Sequence, residues 1–204
     1  LHVDENGETG GTALELVAQA ALRHRFCHKI LCGHCCSLTV QDDVAQTRII
    51  SLLAEAGIGI VSLPLCNMYL QDRNDGRTPR WRGVTLLQEL DAAGVPVMLA
   101  SDNVRDPFYA YGDFDMHEIL QGGTRIGHLD HTIRPWVQSV NTRPGDWMGR
   151  NHRLEKGAVA DLIVFPARNM NEWMSRNQTD RTVLRAGRVI DAVPPAYETL
   201  GGDL

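Results

Sequence analysis

The run Val95-Pro96-Val97-Met98-Leu99-Ala100-Ser101-Asp102 is short and apolar and closes on a carboxylate, which is typical of a buried strand. A second run, Ile30-Leu31-Cys32-Gly33, ends at His34 in the same way, and His2 at the start of the chain also fits a strand end. Polar residues at the carboxyl ends of successive strands build the active site of a (β/α) barrel. The three positions therefore predict an α/β fold with a site at one edge of a parallel sheet.

Helical and strand-like periods alternate over the first 150 residues. The spacing of apolar residues is helical over 11–26, 42–56, 84–93 and 116–126, and strand-like over 29–33, 57–63 and 95–100. Such alternation is typical of βα units around a parallel sheet. We expect a further strand before His2, and counting it gives about four units, half of an eight-stranded barrel.

Two polar stretches interrupt this pattern and are predicted to be loops, Cys66–Arg82 and Asn103–Gly112. A loop as long as the first is usually functional in a compact domain. Asn67 and Gln71 could reach a substrate from it, although solvated loop residues are the simpler interpretation. The arginines of the same stretch are also interpreted as solvated; they are Arg73, Arg77, Arg80 and Arg82.

The composition changes near Gly149, where the regular alternation stops. Strand-like runs cover 158–165 and 182–190, and Gly187-Arg188 suits a tight turn or bulge. The sequence thus predicts two domains: residues 1–150 as the C-terminal half of a distorted (β/α)8 barrel of the TIM type, and residues 151–204 as part of a small β-sandwich.

Composition excludes several classes of protein. The chain has 204 residues, a net charge of −5 and 43% hydrophobic residues. An acidic chain is a poor partner for nucleic acid, since phosphate binding needs a basic surface. No run of about 18 apolar residues predicts a membrane span, and no signal peptide pattern opens the chain. Five cysteines, an odd number, favour a reducing, cytoplasmic location over a disulfide framework.

His2 and Glu5, in His2-Val3-Asp4-Glu5, are candidates for a metal ligand and a proton shuttle. Taken alone, they fit a surface histidine in an acidic loop better, because His-x-x-Glu is a weak signal. Asp102 alone would fit a loop or helix-capping aspartate. Together with His34, all four lie at strand ends, and histidines and carboxylates with an open position suit a catalytic divalent metal.

The segment Cys32-Gly33-His34-Cys35-Cys36 allows more than one interpretation. His34 can be a strand-end histidine of the site, and the cysteines can be small buried hydrophobes. Cys32 and Cys35 also have the C-x-x-C spacing of a thiol-disulfide oxidoreductase. A structural zinc site is less well supported, because no second pair of ligands follows at a suitable spacing.

Several motifs occur together along the chain. They are His2-Val3-Asp4-Glu5-Asn6, Gly33-His34, Asn67-Met68-Tyr69-Leu70-Gln71, Arg82-Gly83-Val84-Thr85 and Ala100-Ser101-Asp102-Asn103-Val104-Arg105-Asp106-Pro107. With them, the chain resembles the C-terminal half of the cytosine deaminases of the amidohydrolase superfamily. Residues 154–164 are similar to the segment in which superfamily chains return to a β-sandwich after the barrel.

The resemblance implies a function and a role for each site residue. It implies hydrolytic deamination of cytosine or a related aminopyrimidine, with release of ammonia, as part of pyrimidine metabolism. His2 and Asp102 would bind one divalent metal ion, iron or zinc. Glu5 would carry protons to the ring nitrogen and the leaving amine, and His34 would orient the attacking hydroxide. The partner would be a small heterocyclic substrate, and the complete enzyme would be a homo-oligomer.

The chain departs from the family pattern in two respects. The paired histidines of the first barrel strand and the glutamine that reads the pyrimidine are absent, so only part of the metal shell is here. Asn103 replaces the usual second aspartate, as in relatives that hydrolyse aminotriazines such as N-isopropylammelide. An amide donates as well as accepts, so Asn103 is a candidate substrate-binding residue.

Phe108, in Asp106-Pro107-Phe108, is a second candidate because its ring could stack on a planar heterocycle; it could equally anchor the loop. The alternatives to a cytosine deaminase are an aminotriazine amidohydrolase, an oxidoreductase using Cys32 and Cys35, and an inactive binding or scaffold fragment.

Overall fold

Four short strands form a parallel sheet in the order in which they occur along the chain. The structure is a computed structural model that describes residues 1–10, 12–150 and 153–190. The strands are β1 (His2–Val3), β2 (Leu31–His34), β3 (Gly59–Ser62) and β4 (Val97–Leu99). Val3 lies opposite His34, and Ser62 lies opposite Leu99. This register brings the carboxyl ends of the strands to one edge, and it confirms the predicted α/β fold with a parallel sheet.

The apolar spacing predicted the helices over 13–23, 43–56, 87–92 and 116–127 and did not predict the others. The helices connect the strands or follow the last of them. They are α1 (Ala13–Arg23), α2 (Asp43–Ala56), α3 (Pro64–Leu70), α4 (Leu87–Ala92), α5 (Met116–Gly127), α6 (Ile133–Val137) and α7 (Thr142–Trp147). Short 3-10 helices occupy Cys36–Val40, Asp130–Thr132 and Gln138–Val140. Each pair of neighbouring strands is therefore joined by a helical crossover, which parallel strands require.

Capping residues set the ends of the first two long helices. Thr12 accepts a hydrogen bond from the backbone of Glu15 at the start of α1, and Asp42 accepts one from Ala45 at the start of α2. Such caps stabilise a helix by about 1 kcal/mol each. Gly57 ends α2 with φ 64°, a left-handed conformation that glycine adopts without steric cost.

The strands form the centre of the hydrophobic core. Ile60, Val97 and Leu99 are almost fully buried, as expected for a parallel sheet covered by helices. Burying an aliphatic side chain of this size contributes about 1.5–3 kcal/mol. The core thus fixes the strands, and with them the residues that follow each strand.

The stretch Cys66–Arg82 is not the continuous loop that its polar composition predicts. Its first residues belong to helix α3, which begins at Pro64 immediately after β3. Proline is well suited to the first turn of a helix, where its missing N–H is not needed. The loop prediction was wrong for residues 66–70, where the polar residue Asn67 is buried in this helix rather than solvated. Residues 71–82 form turns and irregular backbone, as predicted.

The four arginines of this stretch are exposed, as predicted, and some of them also contact neighbouring groups of the chain. Asp72 accepts hydrogen bonds from the Arg77 side chain and from the backbone N–H of Arg80, and these bonds lower the pKa of the Asp72 carboxyl. Arg73 lies over the Tyr69 ring at 4.6 Å from its centroid. Asp72 therefore organises the turn that follows α3.

The described residues form two separate compact units, residues 1–150 and residues 153–190. The second has an antiparallel sheet of β5 (Leu162–Val164), β6 (Thr182–Arg185) and β7 (Arg188–Val189), with helix α8 (Met170–Ser175). The predicted strand over 182–190 is a hairpin whose turn, at Ala186 and Gly187, has positive φ at both residues; two-residue hairpins favour this geometry. Residues 191–204, predicted to belong to the β-sandwich, lie outside the described residues.

No helix within the described ranges combines the length and the apolar character needed to cross a membrane.

Candidate active site

His2, Glu5 and His34 meet at the carboxyl edge of the parallel sheet. One potential ligand atom from each residue lies within 4.8 Å of the others. His34 Nε2 is 3.0 Å from His2 Nδ1, and His34 Nδ1 is 3.2 Å from Glu5 Oε1. Asp102 Oδ2 lies 3.9 Å from His34 Nδ1. The structure thus brings together the four residues that the strand ends predicted, because the parallel register aligns those ends.

The backbone turns sharply at these strand ends. Asp4, His34 and Asp102 have φ values of 51°, 70° and 69°, in the left-handed region that residues with a side chain adopt only rarely. Such conformations cost about 1–3 kcal/mol each and occur mainly at functional sites. The surrounding packing therefore holds the site residues in a geometry that the local sequence alone would not favour.

Asp4 ties the end of β1 to helix α1. Its two carboxylate oxygens accept hydrogen bonds from the backbone N–H groups of Ala13 and Leu14, at 3.0 and 2.9 Å. Free N–H groups at a helix start favour a negative charge. Asp4 is therefore held in place by helix α1, and it fixes the backbone next to Glu5.

Asn67, which we interpreted as a solvated loop residue, is fully buried. Its Nδ2 lies 3.1 Å from Glu5 Oε1 and 3.0 Å from His34 Nδ1. Gln71 Nε2 donates to the backbone oxygen of Glu5 at 3.2 Å. The sequence signal for this helix was Pro64 shortly after the strand-like run, since proline suits the first turn of a helix.

His34 is almost entirely buried, and this burial lowers its pKa, while the charges of Glu5 and Asp102 act in the opposite direction. Burial in a low dielectric disfavours the charged imidazolium. At neutral pH His34 is therefore a neutral ring, able to accept one hydrogen bond and donate another.

The arrangement fits a divalent cation. Asp102 Oδ2 and Asn67 Oδ1 are buried and have no hydrogen-bond partner within the part of the chain that the structure describes. Unpaired buried oxygens are costly, and these two lie beside the His34 ring and the Glu5 carboxylate. Imidazole and carboxylate are ligands that suit zinc or non-haem iron. The donor set is thus chemically appropriate for the metal that the sequence predicts.

The cysteines do not have the properties of a redox pair. All five are free, and Cys27 is exposed whereas the other four are buried. Burial raises the pKa of Cys32 and, more strongly, of Cys35. A thiol-disulfide oxidoreductase needs a lowered thiol pKa and access to solvent. The geometry therefore favours the interpretation of Cys32 and Cys35 as small buried hydrophobes.

Two further thiols adjoin the site. Burial raises the pKa of Cys36 to about 12, and the charge of Glu5 contributes in the same direction. Burial, followed by the effect of the nearby Asp102 carboxylate, raises the pKa of Cys66 to about 12. Both side chains therefore remain neutral thiols and add no charge to the site.

The candidate substrate-binding residues differ in how they are held. Asn103 Nδ2 donates to Asp106 Oδ2 at 2.6 Å, and the Cys66 thiol lies 3.6 Å from Asn103 Oδ1. The backbone N–H groups of Phe108 and Tyr109 donate to Asp106 Oδ1. Asn103 is therefore fixed beside the end of β4, whereas the Phe108 side chain is 63% exposed.

Residues 1–191 match the amidohydrolase family. Among curated proteins, the chain is 53% identical over 202 residues to a pterin deaminase from Rhizobium rhizogenes (strain K84 / ATCC BAA-868). The match covers 98% of this chain and 46% of that protein. The chain thus spans about half the length of this relative.

Solved structures of similar proteins share the fold. A 5-methylcytosine deaminase from Klebsiella pneumoniae liganded with 5-fluorocytosine is 28% identical, with a TM-score of 0.79 over 97% of this chain and 49% of that one. The same enzyme liganded with phosphonocytosine is 29% identical, with a TM-score of 0.79 over 96% of this chain and 49% of that one. An N-isopropylammelide isopropylaminohydrolase from Burkholderia multivorans ATCC 17616 is 22% identical, with a TM-score of 0.69 over 86% of this chain and 42% of that one. The last similarity shows the fold alone.

Proposed function

The chain belongs to the amidohydrolase family, and on that premise we propose that it takes part in the metal-dependent hydrolytic deamination of an amino-substituted nitrogen heterocycle. The observation that carries the proposal is the cluster of His2, Glu5 and His34, whose candidate ligand atoms lie within 4.8 Å of one another. Asp102 adjoins the cluster. A proton carrier, a neutral imidazole and metal-type ligands at one point are the groups that this reaction requires.

The favoured substrate is a pterin. The support is 53% identity to a pterin deaminase over 98% of the chain, compared with 28% to the 5-methylcytosine deaminase. Pterin and cytosine share the reacting group, an amino substituent on a ring carbon that is double-bonded to a ring nitrogen. The same site chemistry therefore suits both rings, and their size and hydrogen-bonding edges differ.

Cytosine, or a related aminopyrimidine, is the second candidate. Its support is the set of motifs around His2, His34 and Asp102 together with the similarity to the deaminase structure liganded with 5-fluorocytosine. An aminotriazine is the third, and its support is Asn103 in place of the second aspartate of the cytosine enzymes.

His2 and Asp102 would hold one divalent ion, iron or zinc, which when bound supplies a lowered pKa for water. Glu5 takes one proton from the attacking water and delivers it to the ring nitrogen. It then carries the second proton, from the hydroxyl group that the attack leaves on the ring carbon, to the departing amine, and that hydroxyl becomes a carbonyl. Neutral His34 holds the attacking oxygen by a hydrogen bond. The carbon–nitrogen bond to the amino group breaks, and ammonia leaves.

The four strands are proposed to be the C-terminal half of a (β/α)8 barrel, and residues 151–204 part of a β-sandwich. Catalytic zinc sites use about three protein ligands, and His2 and Asp102 supply only two. The remaining ligand or ligands would come from a region equivalent to the part of the relatives that this chain does not cover. A cytoplasmic homo-oligomer is the proposed form of the complete enzyme.

Ammonia release from pterin, cytosine and N-isopropylammelide tests the proposal. The zinc- or iron-loaded chain is assayed alone and mixed with the part of the Rhizobium rhizogenes pterin deaminase that it does not match. We expect pterin to be the best substrate and Glu5→Gln to abolish most of the activity. Absence of turnover in both arrangements would favour the inactive-fragment alternative, and equal activity of Glu5→Gln and wild type would contradict the proposed roles.

A further inference from the structure

Two amide side chains, one within helix α3 and one at its C-terminal cap, contact Glu5. Asn67 Nδ2 is 3.1 Å from the Glu5 carboxylate oxygen Oε1, and Gln71 Nε2 is 3.2 Å from the Glu5 backbone oxygen. Asn67 lies within α3 and Gln71 is the residue that caps its C-terminus, with its backbone N–H still bonded to the Asn67 carbonyl oxygen. One amide therefore holds the side chain of Glu5, and the other holds its backbone.

The two amides are themselves well fixed. Asn67 is fully buried on a helix that starts directly after β3, and a buried amide is stable only where it is hydrogen-bonded. Gln71 lies against Gly83, where an added Cβ would come within 2.3 Å of Gln71 Cβ. The Glu5 side chain, by contrast, is 32% exposed, so it has room to move unless something holds it.

Asn67 also contacts His34, so that one amide lies against both the Glu5 and the His34 side chains. Its Nδ2 is 3.0 Å from His34 Nδ1, and that nitrogen is 3.2 Å from Glu5 Oε1. In the proposed mechanism Glu5 moves the protons and His34 orients the attacking oxygen, so the two side chains must keep a fixed separation. A single buried amide in contact with both side chains can maintain that separation.

We propose that Asn67 and Gln71 are positioning residues for Glu5, Asn67 fixing the carboxylate against His34 and Gln71 fixing the backbone that carries it. The inference rests on the proposed function, in which Glu5 moves protons. The two amides touch Glu5 rather than the reacting ring, so their loss should change the rate of the chemical step more than the affinity for substrate.

A kinetic double-mutant cycle tests the role of Asn67. It is measured on the metal-loaded chain, alone or mixed with the unmatched part of the Rhizobium rhizogenes enzyme, whichever of the two shows deaminase activity. Asn67→Ala should lower kcat by about 10²-fold, the cost of a misplacement near 1 Å, and should leave KM within about threefold because substrate contacts remain. Adding Asn67→Ala to Glu5→Gln should give no further loss. Ser139→Ala, which removes a buried hydroxyl bonded to Trp136, is the control and should keep the wild-type kcat. A full additional loss in the Glu5→Gln background would overturn the inference.

Side-chain amide NMR signals provide a readout that does not depend on activity. In the zinc-supplemented chain, Glu5→Ala should shift the Asn67 NH₂ signals and speed their exchange, because their carboxylate acceptor is gone. The Gln71 NH₂ signals should persist, because their acceptor is the backbone oxygen of residue 5. Unchanged Asn67 signals would overturn the positioning role even if deaminase activity is present. Altered Asn67 signals in a chain without deaminase activity would instead reject the proposed function and leave the contact established.

Discussion

At the scale of single residues, the site depends on which polar atoms have partners and which do not. Asp102 Oδ2 is buried without a hydrogen-bond partner in the described part of the chain, whereas Glu5 Oε1 accepts from Asn67. An unpaired buried carboxylate oxygen is available to a metal, and a carboxylate with a fixed donor is suited to proton transfer. The surroundings of the two acids therefore support the different tasks that we propose for them.

Substituting the two acids separately should distinguish these tasks. Glu5→Gln keeps the size of the side chain and removes its proton transfer, so activity should fall by about 10²- to 10⁴-fold while bound metal stays near the wild-type amount. Asp102→Ala should lose both metal and activity. Metal analysis alongside ammonia release measures both effects. Full activity in Glu5→Gln would contradict its role as the proton carrier.

Asn103 and Asp106 form a pair that can be exchanged. Asn103→Asp places two carboxylates side by side where a 2.6 Å hydrogen bond now exists, and it should destabilise the chain by about 1 kcal/mol. The double change Asn103→Asp with Asp106→Asn restores a donor and an acceptor and should recover most of this loss. Urea unfolding of the three variants measures the coupling, and simple additivity would show that the pair does not interact.

The Asn103→Asp variant also tests which substrate the site prefers. If Asn103 contacts the ring, Asn103→Asp in the active arrangement should move the ratio of kcat/KM values toward cytosine and away from the aminotriazine, because a carboxylate accepts but does not donate. An unchanged ratio would remove Asn103 from the candidate substrate-binding residues.

At the scale of elements, the contact between helix α3 and the loop that follows it determines where Gln71 lies. Gly83 and Gly76 have nearly the same φ, 68° and 67°. An added Cβ at Gly83 would meet Gln71, whereas one at Gly76 meets nothing within 4 Å. Comparing alanine substitutions at these two glycines therefore separates two contributions to the free energy of unfolding, the cost of a left-handed backbone and the cost of a steric clash.

Gly76→Ala should lower the free energy of unfolding by about 1–2 kcal/mol, the cost of a left-handed residue with a side chain. Gly83→Ala should lose a further 1–3 kcal/mol, roughly the cost of overpacking, and should displace Gln71 from the Glu5 backbone. Denaturant titration of both variants gives the difference. Equal losses would show that the close approach of Gly83 to Gln71 has no energetic weight.

At the scale of the whole molecule, the candidate metal ligands lie at the ends of strands that are distant in sequence, so a bound metal would link those strands. His2 follows the start of the chain, and Asp102 lies beyond β4 at the other side of the four-stranded sheet. A ligand that binds the folded chain and not the unfolded one stabilises the fold by mass action. Bound metal should therefore stabilise the sheet as a unit.

Removing the metal should lower the melting temperature. At a free metal concentration about 100 times Kd the stabilisation is about 2.7 kcal/mol, which for a chain of this length corresponds to roughly 5–10 °C. Thermal scans with and without chelator measure the shift. Asp102→Ala is the control and should show little dependence on chelator; a wild-type melting temperature independent of chelator would argue against the metal site.

Much of the fold and part of the site followed from the sequence. Apolar spacing of two and of three to four residues is a local property, and it predicted the alternating strands and helices of residues 1–150 and hence a parallel sheet. Because parallel strands end at the same edge, His2, His34 and Asp102 could be expected to converge there. The local pattern failed at α3, because its last five residues were predicted to be the start of a polar loop.

Other features were decided only by the tertiary structure. Asn67 and Gln71 reach Glu5 across 62 and 66 residues of chain, and the left-handed backbone at Asp4, His34 and Asp102 departs from what their residue types prefer. Both depend on how the helices pack over the sheet, which no short segment encodes. The sequence by itself therefore determined which residues gather at the sheet edge, and packing decided which atoms of those residues are held, which are unpaired, and at what distance.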